Sequence, residues 1–229
     1  MREFVMDTET TGFDPESGDR LCEIACVELA NYIPTGRVYH QYINPERDMP
    51  EGAFRVHGLS TEFLRDKPVF ADVVQDFLEF VGDGLMIFHN ASFDMKFINA
   101  ELKLVGIDAV PGERVFDTLA LARRKHPAGP NSLDALCKRY SIDNSARTKH
   151  GALLDAELLA EVYLELVGGK QAALDLSARR LRMENGKGGG SMILSRPRPL
   201  PVNLIDAERN AHQAFIDELG EDAVWRQYQ

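Results

Sequence analysis

Phe4, Val5 and Met6 form an apolar run that ends directly in Asp7, Thr8, Glu9 and Thr10, and this junction constrains the fold more than any other stretch. The run "REFVMD" over 2–7 reads as a buried strand, and alternate side chains of a strand share a face. Asp7 and Glu9 therefore project together from the end of that strand, where ligand sites of open α/β sheets gather. Either the strand fades into a solvated turn, or two carboxylates are aimed at a common ligand. Neighbouring carboxylates repel until one takes up a proton or a cation lies between them. Hard oxygen donors of this kind suit Mg2+ or Mn2+.

The chain after this junction reads as α/β. A turn cluster "TGFDPESGD" leads to β-rich stretches at 20–29 and 35–44, joined by a short link containing Pro34 and expected to form an antiparallel meander. Helical spacing of Val69, Val73, Val74, Phe77, Leu78 and Val81 predicts a helix over 69–81, and "GLMIF" (84–88) a short strand. A helix from Ser92, read as its N-cap, to Leu104 comes next, then a strand at 114–119 and helices near 132–140 and 152–167. Strands in a meander followed by strands alternating with helices imply a mixed sheet with helices on its faces.

Two of these helices carry an acid where an apolar residue is expected. Asp94 lies on or beside the stripe continued by Phe97, Ile98 and Val105, and Asp155 on that of Leu158, Leu159, Val162 and Leu166. Acids on core-facing stripes are rare unless paired or metal-bound, the alternative being a role at the helix N-terminus. His150, five residues before Asp155, falls in the loop entering that helix and is a candidate general base. Four carboxylates and a histidine suit hydrolysis by a cation-activated water, with two ions clamping the attacking and leaving oxygens of a phosphodiester.

Charge bears on the same point. The net charge of −10 argues at first against a polyanionic partner. An acidic cluster that holds cations, however, can meet phosphate through them. The charge is also uneven: residues 1–168 carry −11, 177–200 carry +5 and 201–229 carry −4. No apolar run is long enough to span a membrane and no leader pattern precedes the first strand. Cys22, Cys26 and Cys137 are odd in number, without zinc-like spacing, and read as small packing residues in a reduced, cytoplasmic setting.

Three stretches, "DTETTG" (7–12), "HNASFD" (89–94) and "HGALLDAELLAEVY" (150–163), resemble in order the three motifs of the DEDDh family of 3′→5′ exonucleases. "RVHGLS" (55–60), "FDTLALARRKHP" (116–127) and "NSLDALCKRYSID" (131–143) are similar to the same family between its motifs, so the resemblance covers about residues 1–168. It implies a ribonuclease H-like fold with a five-stranded mixed sheet in the order 3-2-1-4-5, and two divalent cations, Mg2+ or Mn2+. By the same resemblance Asp7, Glu9 and Asp155 hold the ion carrying the attacking water, and Asp7 and Asp94 the ion at the leaving oxygen. His150 takes the proton, Thr10 and Phe93 contact the terminal nucleotide, and His57 supports the site. Core packing for Phe93 and a loop role for His57 stand as alternatives. Arg147 and Lys149 are candidates for the phosphate backbone, while "RRK" (123–125) reads as a solvated helix end.

Beyond residue 168 the character changes. "QAALDL" (171–176) resembles a clamp-binding peptide, with Gln171, Leu174 and Leu176 entering pockets of a sliding clamp. The Gly-rich stretch 184–191 and proline-rich 195–201 read as a tether. Residues 202–229, with Asp206 as a possible N-cap, read as an amphipathic segment too short to bury its own apolar face, which suggests folding on a partner through Phe215, Ile216 and Trp225. The resemblance implies a polymerase subunit as that partner, and a helix packed on the exonuclease domain stands as the alternative. The expected boundaries are thus an exonuclease domain (1–168), a clamp-binding linker (169–201) and a polymerase-binding segment (202–229). The expected substrate is a single-stranded or frayed DNA primer 3′ end. An RNA-processing exonuclease of the same fold and a non-catalytic bridge between polymerase and clamp are the competing readings.

Overall fold

β1 (Arg2–Thr10) is the middle strand of five in the computed structural model, which describes residues 2–147, 149–168 and 205–219. It pairs antiparallel with β2 (Leu21–Ala30), and β2 antiparallel with the edge strand β3 (Ile33–Tyr42). On its other side β1 runs parallel to β4 (Leu85–Phe88), and β4 parallel to β5 (Val115–Asp117). The order is therefore β3-β2-β1-β4-β5, as expected.

Eight helices complete the described residues: α1 (Glu51–His57), α2 (Thr61–Arg65), α3 (Phe70–Val81), α4 (Ala91–Leu104), α5 (Thr118–Lys125), α6 (Leu133–Tyr140), α7 (Ala152–Val167) and α8 (Asp206–Glu218). Alternation along β1 divides the core. Phe4 and Met6 pack with Val74 and Phe77 of α3 and Phe97 and Ile98 of α4 on one face. Val5 packs with Ala152, Ala156, Leu159 and Tyr163 of α7 on the other. By the pleat, Asp7 and Glu9 share the α7 face and Thr8 the α4 face.

Several expectations need correction. Pro34 lies inside β3, opposite Leu29, rather than in a link. An edge strand tolerates it because the missing N–H can point away from the ladder, and the turn is made instead by Asn31 and Tyr32 at positive φ. Ser92 does not cap α4. Asn90 does, in the left-handed conformation (φ 75°) that asparagine adopts more readily than most residues. The strand expected over 114–119 stops at Asp117, whose carboxylate accepts the Leu119 N–H at 2.8 Å and starts α5. α1 and α2 add to the expected helices, being too short to leave a periodic signal in the sequence.

The chain divides into two units, residues 1–174 and 175–229. In the second, α8 begins one residue after Ile205, so Asp206 is its first helical residue and not its cap. The Glu208 carboxylate accepts the Ile205 N–H at 3.0 Å. Phe215 is exposed while Ile216 is buried, so of these two expected anchors only Phe215 is accessible. Gln171, Leu174, Leu176 and Trp225 lie outside the described residues. Among the described residues no helix is long and apolar enough to cross a membrane, and the three cysteines are free and buried.

Candidate active site

The carboxyl end of β1 opens into a cavity of about 740 Å3 lined by Asp7, Glu9, Thr10, Phe93, Asp94, His57 and His150, with Phe13 and His89 at its walls. Three elements from both faces of the sheet meet there. Asp7 and Glu9 reach in from β1 and Asp94 from the start of α4 on the opposite face, while Asp155, from the first turn of α7, lies beside Glu9 and His150 without lining the cavity itself. Asp94 and Asp155 are both buried and both fourth in their helices. Both stand in the first turn, where the helix N-terminus favours an acid, and both are buried there beside the other acids.

Asp94 is held by Thr8, whose hydroxyl donates to Oδ1 at 2.7 Å from the α4 face of β1. A register irregularity between Glu9 and Thr10 re-aims the last residues of the strand. Gly12 then turns the chain closely under the Asp19 carboxylate, which would lie 2.1 Å from any added Cβ. Arg20 forks onto Glu101 of α4 with hydrogen bonds of 2.7 and 2.9 Å, fixing the strand-end loop to the helix that carries Asp94.

Electrostatics oppose ionisation of three of these acids. Burial, then repulsion from Asp94, Glu9 and Asp155, holds the Asp7 carboxyl well above the ordinary range. Asp7 is only half-buried by its own surface, because it faces the cavity; crowding around it rather than complete enclosure desolvates it. Glu9 is pushed up to about 8 by burial, with Glu23, Asp155 and Asp94 adding to it. Asp94 is raised to about 7 by burial, against the opposing hydrogen bond from Thr8. Carboxyls so placed keep protons at neutral pH unless a cation replaces them.

One cation of the chain's own is already there. Arg147 donates to both oxygens of Asp155, Nε to Oδ1 at 2.5 Å and Nη2 to Oδ2 at 2.6 Å, with its side chain buried. The expectation that Arg147 meets a phosphate is therefore corrected: it is engaged by Asp155 and by Asp134 at 2.8 Å. Lys149 instead lies over the Phe54 ring, 5.2 Å from its centroid. Arg147 also donates to His150 Nδ1 at 2.9 Å, which occupies a lone pair that a base would need. His150 is exposed, 3.4 Å from Asp155, and its nitrogen falls within 4.8 Å of ligand atoms of Glu9 and Asp155. Asp7 and Asp94 lie outside that triplet.

The other expected residues reach the cavity in different ways. The Thr10 hydroxyl donates to the Gly12 carbonyl at 2.6 Å, which leaves it only an acceptor for a ligand. Phe93 both packs on Phe97, ring centroids 5.2 Å apart, and faces the cavity, so the two readings of it hold together. His57 is buried; its Nδ1 accepts the Leu59 N–H at 3.1 Å, so the proton of the neutral ring sits on Nε2. That Nε2 makes no hydrogen bond. Burial lowers the His57 pKa, with the Thr10 backbone opposing, so the ring is a neutral donor at the cavity wall.

Four functional positions carry little signal in the sequence. Thr8 reads there as a spacer between two acids. Glu23, opposite Glu9 in the β1–β2 ladder and 2.7 Å from His40 Nε2, sits in a strand of otherwise apolar pattern. The acid itself is the available signal. Phe13 is 84% exposed beside the cavity, in a turn that composition alone makes polar. His89, bonded to Thr118 and the Asn131 carbonyl, stands in a motif where Asp94 and Phe93 draw the attention.

A family model described as Exonuclease (RNase_T) matches residues 4–163. A protein of Rickettsia felis called DNA polymerase III subunit epsilon is 51% identical over 188 residues, 81% of this chain and 82% of the relative. Its namesake in Escherichia coli is 40% identical over 237 aligned positions, 98% of this chain and 97% of the relative. Among solved structures, Exonuclease X in complex with 5′ overhanging duplex DNA superposes with a TM-score of 0.57 at 25% identity, covering 72% of this chain and 91% of that one. The nuclease domain of 3′hExo, a DEDDh family member bound to rAMP, gives a TM-score of 0.61 at 16% identity, covering 73% and 92%, which is a likeness of fold alone.

Proposed function

Because the chain belongs to the exonuclease family that includes the epsilon subunits of DNA polymerase III, we infer that it is the proofreading 3′→5′ exonuclease subunit of a replicative polymerase. Its reaction is hydrolysis of the 3′-terminal phosphodiester of a DNA primer. Water adds to phosphorus, the 3′ oxygen of the penultimate nucleotide leaves and takes a proton, and a nucleoside 5′-monophosphate is released. The observation that carries the reading is the convergence of Asp7, Glu9, Asp94 and Asp155 at one strand end, with the protons of Asp7, Glu9 and Asp94 held high by burial and those of Asp7 and Glu9 also by repulsion from neighbouring acids.

That donor set fits divalent cations. It is all oxygen, it is too crowded to ionise unaided, and a buried guanidinium already neutralises one of its members. We assign Asp7, Glu9, Asp94 and Asp155 as ligands for Mg2+ or Mn2+, which when bound supply a nucleophilic water and offset the charge on the phosphate. The protein's own groups do the rest. His150, once released by Arg147, accepts the proton of the water. The His57 Nε2–H donates to an oxygen of the terminal nucleotide. Phe93 and Phe13 offer ring faces to the base. For the remainder of the chain we propose contact of 171–176 with the sliding clamp and of 202–229 with the alpha subunit of DNA polymerase III, exposed Phe215 being the described anchor.

Asp7→Asn tests the assignment. It should abolish release of mononucleotides from a mismatched primer in Mn2+ buffer with the circular dichroism spectrum unchanged. It should also raise the melting temperature of the metal-free protein at neutral pH, since folding then no longer has to protonate the carboxyl at this position. Retained nuclease activity would sink the assignment.

A further inference from the structure

A second groove of about 720 Å3 adjoins the active-site cavity, and His89 lines both. Its other walls are Leu119 and Arg123 of α5 and the loop Pro127, Gly129, Asn131 and Ser132. Residues 123–139 contain Arg123, Arg124, Lys125, Lys138 and Arg139, all exposed, and a single acid, Asp134, which Arg147 occupies. None of the five cations forms an ion pair with a described carboxylate, in a domain where acids outnumber bases 28 to 17.

Two of these cations, Arg123 and Arg139, reach the groove. Arg139, from α6, lies over Gly129, where an added Cβ would meet its Nη2 at 2.3 Å, and donates to Asn131 Oδ1 at 3.3 Å. Arg123 is near enough to His89 to add to the effect of burial in lowering that ring's pKa, and Lys125 and Arg139 act likewise on His126. Favourable placement of cations at a helix C-terminus explains the three at the end of α5. It also accounts for Lys138 and Arg139 in the last turn of α6, but not for the Arg139 guanidinium lying back over Gly129 at the groove.

We propose that this groove carries the sugar–phosphate backbone of the single strand whose 3′ end lies in the cavity, with Arg123 and Arg139 contacting phosphates upstream of the scissile bond. The inference rests on the exonuclease reading and adds a route by which an acidic protein holds a polyanion: cations in the cavity at the reacting phosphate, side-chain cations along the groove beyond His89. Arginines without a described carboxylate partner, beside walls that mix Leu119 and Pro127 with Asn131 and Ser132, are suited to backbone tracking without sequence preference.

The test compares the full chain with R123Q/R139Q on two substrates, a long oligodeoxythymidylate and the p-nitrophenyl ester of thymidine 5′-monophosphate, which is too short to reach the groove. We expect the ratio of kcat/KM on the oligonucleotide to kcat/KM on the ester to fall about tenfold at low salt. The slope of log(kcat/KM) against log salt on the oligonucleotide should become shallower by about 1.4, ~0.7 for each single-strand phosphate that the variant no longer neutralises. Equal losses on both substrates, or an unchanged salt slope, would overturn the proposal. Loss confined to a primed duplex would place the template strand in the groove and overturn it as stated. A wild-type chain that cleaves neither substrate would refute the exonuclease reading instead, and this inference with it.

Discussion

Arg147 grips Asp155 through two hydrogen bonds of 2.5 and 2.6 Å, with both side chains buried, at the spot where the other acids of the site converge. The guanidinium supplies positive charge to a buried carboxylate, the part that a divalent cation would take in the proposed loaded site. It also ties up His150 Nδ1. On the proposed assignment a divalent ion and Arg147 compete for Asp155, and withdrawal of Arg147 would free a ligand and a base together.

Arg147→Ala should accordingly destabilise the metal-free protein by about 3 kcal/mol, the usual cost of leaving one partner of a buried pair alone. It should at the same time tighten Mn2+ binding, because no side chain then competes for Asp155. Thermal melts with and without Mn2+, joined to calorimetric titration, read both effects. Weaker Mn2+ binding in the variant would show that Arg147 supports the loaded site.

The raised carboxyls set a pH dependence. In the unfolded chain these groups ionise near pH ~4, whereas in the fold Asp94 holds its proton to about 7 and Glu9 to about 8. Between those limits the folded state binds more protons, so its stability falls as pH rises. The melting temperature of the metal-free protein should decline from pH 5 to pH 9 from this cluster's contribution, and saturating Mn2+ should flatten the decline. Metal binding at pH 7 should release protons, detectable as a dependence of the calorimetric heat on the buffer's ionisation enthalpy. A metal-free melting temperature that rises over this interval would contradict the arrangement.

The sheet order and the four acids are legible because each is a local anomaly: a strand ending in two acids, and two helices with an acid on an apolar stripe. What stays hidden depends on partners far apart in sequence. Thr8 is legible only once α4 is known to bring Asp94 beneath it, 86 residues away. Arg147 reads as a free cation because its engagement with both Asp155 and Asp134 needs α6 and α7 packed side by side. Ser92 has the better capping chemistry of its neighbourhood. The turn out of β4 instead needs a left-handed residue, and Asn90 supplies it.

Thr8→Val keeps shape and removes only the hydroxyl that aims Asp94. The partner of a metal ligand is worth about 10–100-fold in metal affinity or activity. We expect Mn2+ affinity to fall within that span, with the fold retained and with Ser at this position restoring most of it. If Val and Ser behave alike, the hydrogen bond does not position Asp94.

His57→Phe separates a packing role from a binding one. The ring is buried in the wall of the cavity, and its Nε2, itself buried, has no hydrogen-bond partner among the described residues, an arrangement that costs stability unless a ligand completes it. A hydrogen bond to a charged phosphate oxygen contributes about 1.5–3 kcal/mol, so KM for an oligonucleotide should rise at least about tenfold. Inhibition by a nucleoside 5′-monophosphate should weaken by the same factor, while kcat changes less. Phenylalanine fills the space but gives up the Nδ1 acceptor of the Leu59 N–H, so a modest drop in melting temperature is expected in either case. The kinetic constants decide: a lower melting temperature with KM and product inhibition unchanged would make His57 a core histidine and leave its outward nitrogen without a function.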